Sequence, residues 1–196
     1  ARFFRAGLGD TLAKYLESTF SARGDELGGA LDHMSAIGVS LSSTCYDPII
    51  RFGRQALSEV EHREAGPAME MCARSVILSA GLVSLMADDN YNCALAHAVC
   101  YGLQHFEHVE QEYLHGDLVA YGALVQLAVD GQLDKARELR AFLVSLGTPV
   151  TLAQMRVPLE KTALHDALIE ATTGPDMAHI PYPVMQDMVF DAMRRV

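Results

Sequence analysis

The stretch best suited to chemistry is AHAVCYGLQHFEHVEQEYLHGDLVAYG, residues 96 to 122, which holds four of the eight histidines. Imidazole nitrogens are common ligands of zinc and iron. His97 and His115 are eighteen residues apart, and on one unbroken helix the rise between them would be about 27 Å. The two rings can therefore share a metal ion, at ~2 Å per bond, only if the chain reverses between them.

The residues between these two histidines permit such a reversal. The segment CALAHAVCYGL is rich in small residues, QHFEHVEQEY is polar and could cross the surface, and Gly116 with Asp117 resembles the entry to a new, very apolar helix. Small neighbours also leave room beside the ring of His97. On spacing alone, core or capping histidines with backbone partners remain the alternative.

A rival site lies in the same stretch. His105, His108 and Glu112 follow the i, i+3, i+7 spacing of one helix face and could bind a surface metal. Their neighbours are polar and would not fix the side-chain rotamers, so a solvated face is the simpler interpretation. The remaining histidines stand singly or in ambiguous surroundings, namely His33, His62, His165 and His179.

Two imidazoles bind zinc or iron best together with a carboxylate as the third ligand. The chain has many candidate carboxylates. Asp10, in GLGD, is distinguished by its position at a predicted helix start beside two glycines. On local grounds alone, an ordinary helix N-cap is the competing role for this side chain.

The elements that must position these groups are predicted to be helices, so the fold class is all-α. DTLAKYLESTFSA places Leu12, Tyr15, Leu16 and Phe20 on one stripe. Pro48 should break or kink the helical pattern that contains it. PAMEMCARSVILSAGLVSLMADD begins with a proline and is apolar almost all round, so we expect it to be buried. Further helices are predicted at about 91–106, 117–130, 132–146 and 158–171, with a last one ending at Val196.

Composition excludes several classes of protein. A formal charge of -10 argues against nucleic acid and anionic membrane surfaces as partners. The charge-free apolar runs are too short to span a bilayer. Four cysteines without disulfide-framework spacing indicate a reducing compartment, the cytoplasm. No strand pattern, G-x-G-x-x-G or P-loop is present, so most of any dinucleotide site should lie outside this chain. At 196 residues the chain suits one domain, and its first residue, Ala, suggests a fragment.

Several motifs together resemble one known family. AGLGDTLAKYLES, AHAVCYGL, HGDLVAYGALVQL, LGTPVTLAQM and AHIPYPVMQDMVFDAMRRV occur in this order over essentially the whole chain. They are similar to the glycerol dehydrogenase branch of the iron-containing alcohol dehydrogenases, which have a dehydroquinate synthase-like fold. The resemblance implies that residues 1–196 are the helical C-terminal, metal-binding domain. The N-terminal domain that binds NAD or NADP would then be absent from the chain.

The resemblance also implies which residues bind the metal: Asp10, His97 and His115. Iron-type relatives add a histidine four residues after the aspartate, where this chain has Lys14, and this favours a three-ligand, zinc-like site. Cys100 replaces a second histidine of many relatives, and Leu118 replaces a lysine. These departures leave the substrate open among glycerol, another small alcohol or polyol, and a hydroxy acid.

Two functions from different classes follow from these observations. The first is the metal- and substrate-binding half of an NAD(P)-dependent alcohol or polyol dehydrogenase, in which zinc (or iron) polarises the substrate hydroxyl for hydride transfer. The alternative is a non-catalytic, truncated helical scaffold that oligomerises. A related hydroxy-acid or glycerol-phosphate dehydrogenase is a further possibility. We expect a homo-oligomer and expect the fragment alone to be inactive.

Overall fold

The computed structural model describes residues 1–28 and 31–196 and, within the first range, the side chains up to residue 24. In these residues every regular element is a helix, so the predicted all-α fold class is confirmed. The α-helices are α1 (Arg2–Gly28), α2 (His33–Leu41), α3 (Ser43–Glu61), α4 (Pro67–Arg74), α5 (Ala80–Met86), α6 (Leu95–Leu103), α7 (Glu107–Glu112), α8 (His115–Val129), α9 (Leu133–Leu146), α10 (His165–Thr173) and α11 (Gln186–Met193).

Helix α8 forms the centre of the core. Each residue from 116 to 128 is buried, because the sequence GDLVAYGALVQLA offers no polar face that could be turned to water. The helix packs against α1, α6, α9 and α11. The very apolar helix predicted at 117–130 is therefore confirmed, and its first residue is His115.

Two glycines of α8 let neighbouring helices approach closely. A Cβ atom on Gly116 would lie 2.0 Å from the carbonyl oxygen of Ala6 in α1, and one on Gly122 would lie 2.2 Å from the carbonyl oxygen of Ala96 in α6. Both separations are shorter than any non-bonded contact, so only glycine fits. The two contacts bring α1 and α6 against α8.

Helix α1 begins earlier than the sequence predicts. Its first residue is Arg2, so Asp10 lies inside the helix, and the N-cap interpretation of Asp10 is wrong. The physical reason is that Ala6 and Leu8, which precede the predicted start, are buried, and this packing outweighs the helix-weakening effect of the nearby glycines. The predicted stripe is confirmed where Leu12 and Phe20 are buried.

Of the break or kink predicted at Pro48, the break is wrong. Helix α3 runs through this proline, and the boundary with α2 lies at Ser42. Proline has no N–H group, so the carbonyl of Thr44 loses its partner within the helix. The hydroxyl of Ser75 donates a hydrogen bond to that carbonyl at 2.7 Å. A side chain from outside the helix thus replaces the missing bond, and the helix continues.

The predicted burial of the run 67–86 is wrong as well. Helix α4, a π-helical turn (Ser75–Ser79) and α5 form one continuous run. In the most apolar stretch of 18 residues within it, only 17% is buried. Its buried side chains Ala68, Cys72 and Val83 are covered by neighbouring elements, while Ile77 and Leu85 are 70% and 82% exposed. Apolar residues surround this helix, but the described elements cover only part of it.

The same run bears on the membrane question. Pro67–Met86 has 20 residues and a mean hydropathy of 1.4, which satisfies a membrane span by length and composition alone. The charge-free apolar part alone is too short for a membrane span. The helical run is longer because it also includes the charged residues Glu70 and Arg74 on its N-terminal side. One such helix is weak evidence for a membrane span.

Three predicted helices have different bounds in the structure. The segment predicted as a helix at 158–171 is helical only from His165, because residues 161–164 form turns. The segment predicted at 91–106 contains α6 at Leu95–Leu103, preceded by a 3₁₀ turn at Asp89–Tyr91. The last helix, α11, ends at Met193 rather than at Val196.

Candidate metal centre

Asp10, His97 and His115 meet at one point of the structure. They come from α1, α6 and the first residue of α8, and the chain reverses between the two histidines through the polar helix α7. One carboxylate oxygen of Asp10 lies 3.5 Å from Nε2 of His97 and 4.0 Å from Nε2 of His115. The three potential ligand atoms all lie within 4.8 Å of one another.

This geometry fits a single divalent cation. Ligand atoms that each bind one ion at ~2.0–2.2 Å lie within roughly 4 Å of one another, and the two distances to Asp10 already meet that condition. Two imidazoles and a carboxylate are a common donor set for zinc or iron. Among the described side chains, no other group of three or more His, Cys, Asp or Glu residues meets the same distance criterion.

His97 is held by the buried carboxylate of Glu17. One oxygen of Glu17 lies 2.6 Å from Nδ1 of His97, and the side chain of Glu17 is fully buried in α1. The imidazole ring of His97 is itself almost wholly buried. Because Nδ1 is engaged by Glu17, Nε2 is the nitrogen that faces Asp10.

The start of α6 has no capping side chain of its own, because its N-cap residue is Ala94. Glu17 Oε1 accepts hydrogen bonds from the backbone N–H groups of Ala94 and His97, at 2.8 and 2.9 Å. Gln126 of α8 accepts a third from Ala96 at 3.2 Å. Side chains of α1 and α8 therefore do what an N-cap residue would normally do for α6.

His115 is more open than His97. Its Nδ1 atom lies 3.4 Å from the sulfur of Cys100, and its side chain is 41% exposed. The ring centroids of His97 and His115 are 5.3 Å apart, and Tyr101 lies beside both rings, with its centroid about 6 Å from each. Both histidines thus direct Nε2 at Asp10. At Nδ1 the partner of His97 is Glu17, whereas that of His115 is Cys100.

Burial and charge act in opposite directions on the three groups. Burial raises the pKa of Asp10. The hydrogen bond and positive charge of His97, together with the charge of His115, lower this pKa by a larger amount, so the net shift is downward. For His97, burial lowers the pKa, but the Glu17 charge and hydrogen bonds to Asp10, Cys93 and Glu17 raise it overall. Burial dominates at His115 and lowers its pKa. The lowered pKa of Asp10 favours its ionised carboxylate, which is the form that binds a cation.

A cleft of about 340 Å³ opens beside this centre. Asp10, Lys14 and His97 line it from one side, and the run 67–86 lines the other side, with Val76 among its residues. The carboxylate of Asp10 is 45% exposed. Asp10 and His97 are thus approachable from this side, where a small molecule could reach a bound ion.

The rival histidines do not form a comparable site. Nε2 of His108 lies 3.1 Å from the backbone carbonyl oxygen of Met155. The carboxylate of Glu112 forms an exposed ion pair with Arg156. His105 belongs to no group of potential ligands among the described side chains. The solvated-face interpretation of this stretch fits these contacts better than a surface metal does.

Two further charged residues near the centre, Lys14 and Asp117, are bonded to other parts of the protein. Nζ of Lys14 donates to the backbone oxygen and to the side-chain oxygen of Asn92, at 3.0 and 3.3 Å. Asp117 is buried and forms a two-fold ion pair with Arg5, at 2.9 and 3.1 Å. The latter pair fastens the first turn of α8 to α1.

Sequence reasoning missed the roles of Glu17 and Gln126. One signal for Glu17 was present, because an acidic residue stands seven positions after Asp10 beside the apolar stripe of α1, and a buried carboxylate requires partners. For Gln126 the signal was a polar residue inside the most apolar helix. In both cases the identity of the partner depends on how the helices pack.

No family model matches the chain. Among curated proteins, hydroxycarboxylate dehydrogenase A of Escherichia coli K12 is 30% identical over 197 residues, which cover 100% of this chain and 53% of that protein. The glycerol dehydrogenase of Thermotoga maritima is 30% identical, over 99% of this chain and 53% of its own length. The glycolaldehyde reductase of Halobacterium salinarum is 31% identical, over 98% and 52%. The chain thus spans about half the length of these relatives.

Solved structures show the same relationship. The crystal structure of glycerol dehydrogenase from Schizosaccharomyces pombe superposes with a TM-score of 0.84 at 24% identity, covering 98% of this chain and 49% of that one. That of a probable glycerol dehydrogenase from Sinorhizobium meliloti gives 0.84 at 26% identity, covering 98% and 54%. Fold and sequence therefore agree with the motifs, and the chain belongs to the glycerol dehydrogenase-like branch of the iron-containing alcohol dehydrogenase family.

Proposed function

We propose that this chain is the metal- and substrate-binding part of an NAD(P)-dependent alcohol or polyol dehydrogenase, with Asp10, His97 and His115 as the metal ligands. The observation that carries the proposal is the meeting of these three side chains, from three separate helices, beside an open cleft. The names of the relatives, which are dehydrogenases and a reductase, support the class of reaction.

We expect zinc rather than iron at this centre. Iron-type relatives are expected to use a further histidine where this chain has Lys14, and the ammonium group of Lys14 is bonded to Asn92. An ammonium group has no free electron pair with which to bind a cation. Three protein ligands leave at least one position of a tetrahedral ion free for a small molecule.

The mechanism assigns a task to each side chain. A bound divalent cation would act as a Lewis acid that polarises the oxygen of an alcohol or carbonyl. Asp10 and the two imidazoles would hold that cation at the wall of the cleft, and Asp10 would balance part of its charge. The apolar residues Val76, Ile77 and Ala80 would shield one side of the cleft from water, which strengthens electrostatic interactions there.

The substrate class and the coenzyme follow from the relatives. Their names indicate glycerol, glycolaldehyde and hydroxycarboxylates, so we expect a small alcohol, polyol or hydroxy acid as substrate. The chain lacks a glycine-rich dinucleotide motif. We therefore expect NAD or NADP to be bound mainly by residues beyond the half that this chain represents. We also expect a cytoplasmic homo-oligomer.

A metal titration tests the centre directly. The metal-free chain should bind one zinc ion per chain in isothermal titration calorimetry, and Asp10→Ala or His115→Ala should remove stoichiometric binding because each change deletes a ligand. Circular dichroism spectra of both variants control for folding. Stoichiometric zinc in both variants would overturn the proposed ligand set.

A coenzyme assay tests the reaction. The protein that carries this chain should reduce NAD or NADP with glycerol or with a 2-hydroxy acid as the donor. A chelator should stop the reaction, and added zinc should restore it. Undiminished turnover after complete removal of the metal would contradict the proposed role of the centre.

A further inference from the structure

Glu17 is a charged side chain that the fold encloses completely. Its exposed fraction is 0%, and a carboxylate in such a place is costly unless donors surround it. The structure supplies three: the backbone N–H groups of Ala94 and His97, at 2.8 and 2.9 Å, and Nδ1 of His97 at 2.6 Å. Two of the three belong to His97.

We propose that Glu17 is a positioning residue for the metal centre, which fixes the imidazole of His97 with Nδ1 protonated, so that in the metal-loaded centre the lone pair of Nε2 is left for the metal beside Asp10. This inference rests on the proposed function, because it assumes that His97 is a metal ligand. It assigns to Glu17 a role that the residue types of the centre alone do not indicate.

The chemistry of a carboxylate determines which ring nitrogen carries the proton. An ionised carboxylate only accepts hydrogen bonds, so the ring atom facing it must be the donor. A metal-bound imidazole carries one N–H group, and with Nδ1 protonated the free pair of electrons is on Nε2. That atom is the one 3.5 Å from the carboxylate oxygen of Asp10.

Cys100 provides an internal contrast at the other imidazole. Its thiol lies 3.4 Å from Nδ1 of His115, and a thiol is both a weak donor and a weak acceptor. It therefore permits either protonation pattern of that ring. The carboxylate of Glu17 does not, so the two histidines differ in how firmly their coordinating atom is defined.

Glu17 also fixes the backbone that carries His97. The oxygen that caps Ala94 and His97 belongs to the same carboxylate that holds the ring. One side chain of α1 thus holds both the start of α6 and the orientation of the His97 ring. Since Asp10 stands on that same helix, two turns earlier, α1 positions one ligand directly and a second through Glu17.

Glu17→Gln tests the protonation pattern with little change in shape. The glutamine oxygen can still accept from the two backbone N–H groups, but its NH₂ group then faces Nδ1 as a donor. The ring must respond by placing its proton on Nε2, which blocks coordination. We expect zinc affinity to fall by about 10–100-fold, measured by titration of the metal-free chain, and the helical circular dichroism to remain.

Gln126→Leu is the matched control. Gln126 also accepts from the start of α6, at Ala96, and donates to the carbonyl oxygen of Leu16, and neither of these two hydrogen bonds is to an imidazole. This variant should melt at a lower temperature and bind zinc with unchanged affinity. A fall in zinc affinity equal to that of Glu17→Gln would show that helix capping, not ring orientation, explains the effect, and would overturn the inference.

A second measurement needs no variant. In the zinc-loaded chain with nitrogen-labelled histidine, magnetic resonance should show His97 protonated at Nδ1 and metal-bound at Nε2. The opposite assignment, or equal zinc affinity of Glu17→Gln and the unaltered chain, overturns the role of Glu17. Absence of zinc binding by the unaltered chain would instead overturn the proposed function on which this inference rests.

Discussion

Two groups of histidines lie in the same short stretch of this chain, and the fold treats them differently. His97 and His115 come from separate helices, and the buried side chains of Glu17 and Cys100 lie against Nδ1 of their rings. His105 and His108 lie between them, close in sequence, and belong to no cluster of potential ligands among the described side chains. Closeness in sequence therefore does not predict a metal site here, whereas the packing of α1, α6 and α8 brings the distant pair together.

The largest expected effect separates these two groups. His97→Ala should lower zinc affinity by more than about 100-fold, because loss of only an outer partner of a ligand already costs about 10–100-fold. His108→Ala, whose ring meets the carbonyl oxygen of Met155, should leave the affinity unchanged. Calorimetric titration of the two variants measures both values, and equal losses would erase the distinction.

The same contrast extends to the ion pairs of the two regions. Asp117, which ties the first turn of α8 to Arg5, is 1% exposed, whereas Glu112, paired with Arg156 near the rival histidines, is 51% exposed. Asp117→Ala should lower the free energy of unfolding by about 3 kcal/mol, because it leaves the guanidinium of Arg5 without its buried partner.

The matched variant Glu112→Ala should change the free energy of unfolding by less than about 1 kcal/mol, since exposed ion pairs contribute little. Urea denaturation of both variants gives the two values. If Glu112→Ala lowered the free energy of unfolding as much as Asp117→Ala, the contrast between the buried and the exposed ion pair would be wrong.

A smaller effect tests the close packing of α1 against α8 at Gly116. Gly116→Ala places a methyl group against the backbone oxygen of Ala6, so α1 and α8 must separate, at a cost of about 2 kcal/mol of unfolding free energy. Because Asp10 and His115 stand on these two helices, zinc affinity should fall as well. Urea denaturation and zinc titration measure the two effects.

Gly81→Ala is the control for this substitution. Among the residues that the structure describes, no neighbouring atom lies within 4 Å of a Cβ atom at this position in α5. Replacing a helical glycine where space is open should stabilise the chain by about 0.5–1 kcal/mol. Opposite signs for the two glycines are expected, and a neutral Gly116→Ala would show that close approach of α1 and α8 is not needed.

Much of the fold was predictable, for a physical reason. The apolar content of α8 on all sides indicated a buried helix, and the stripe of Leu12 and Phe20 indicated the face of α1 that packs. Both patterns are local, so the sequence displays them. The resemblance to a family pointed to Asp10, His97 and His115, which the structure brings together, whereas spacing alone left them among several histidines.

The errors share a cause, since each depended on contacts between distant residues. The sequence near Pro48 shows the lost hydrogen bond, but not that Ser75 would replace it. The apolar run 67–86 has the composition of a core helix, but the described elements cover only part of it. Likewise, Glu17 is an ordinary acidic residue until α6 packs against α1 and presents Ala94 and His97 to it.

The complete enclosure of α8 has a consequence for motion. Its amide groups from 116 to 128 are surrounded by other helices, so they should exchange hydrogen with solvent only through near-global opening. Exposed parts of the chain, such as α7, can fray many times before α8 does. A binding site that begins at the first residue of the slowest-exchanging helix should keep that wall in place through most thermal fluctuations.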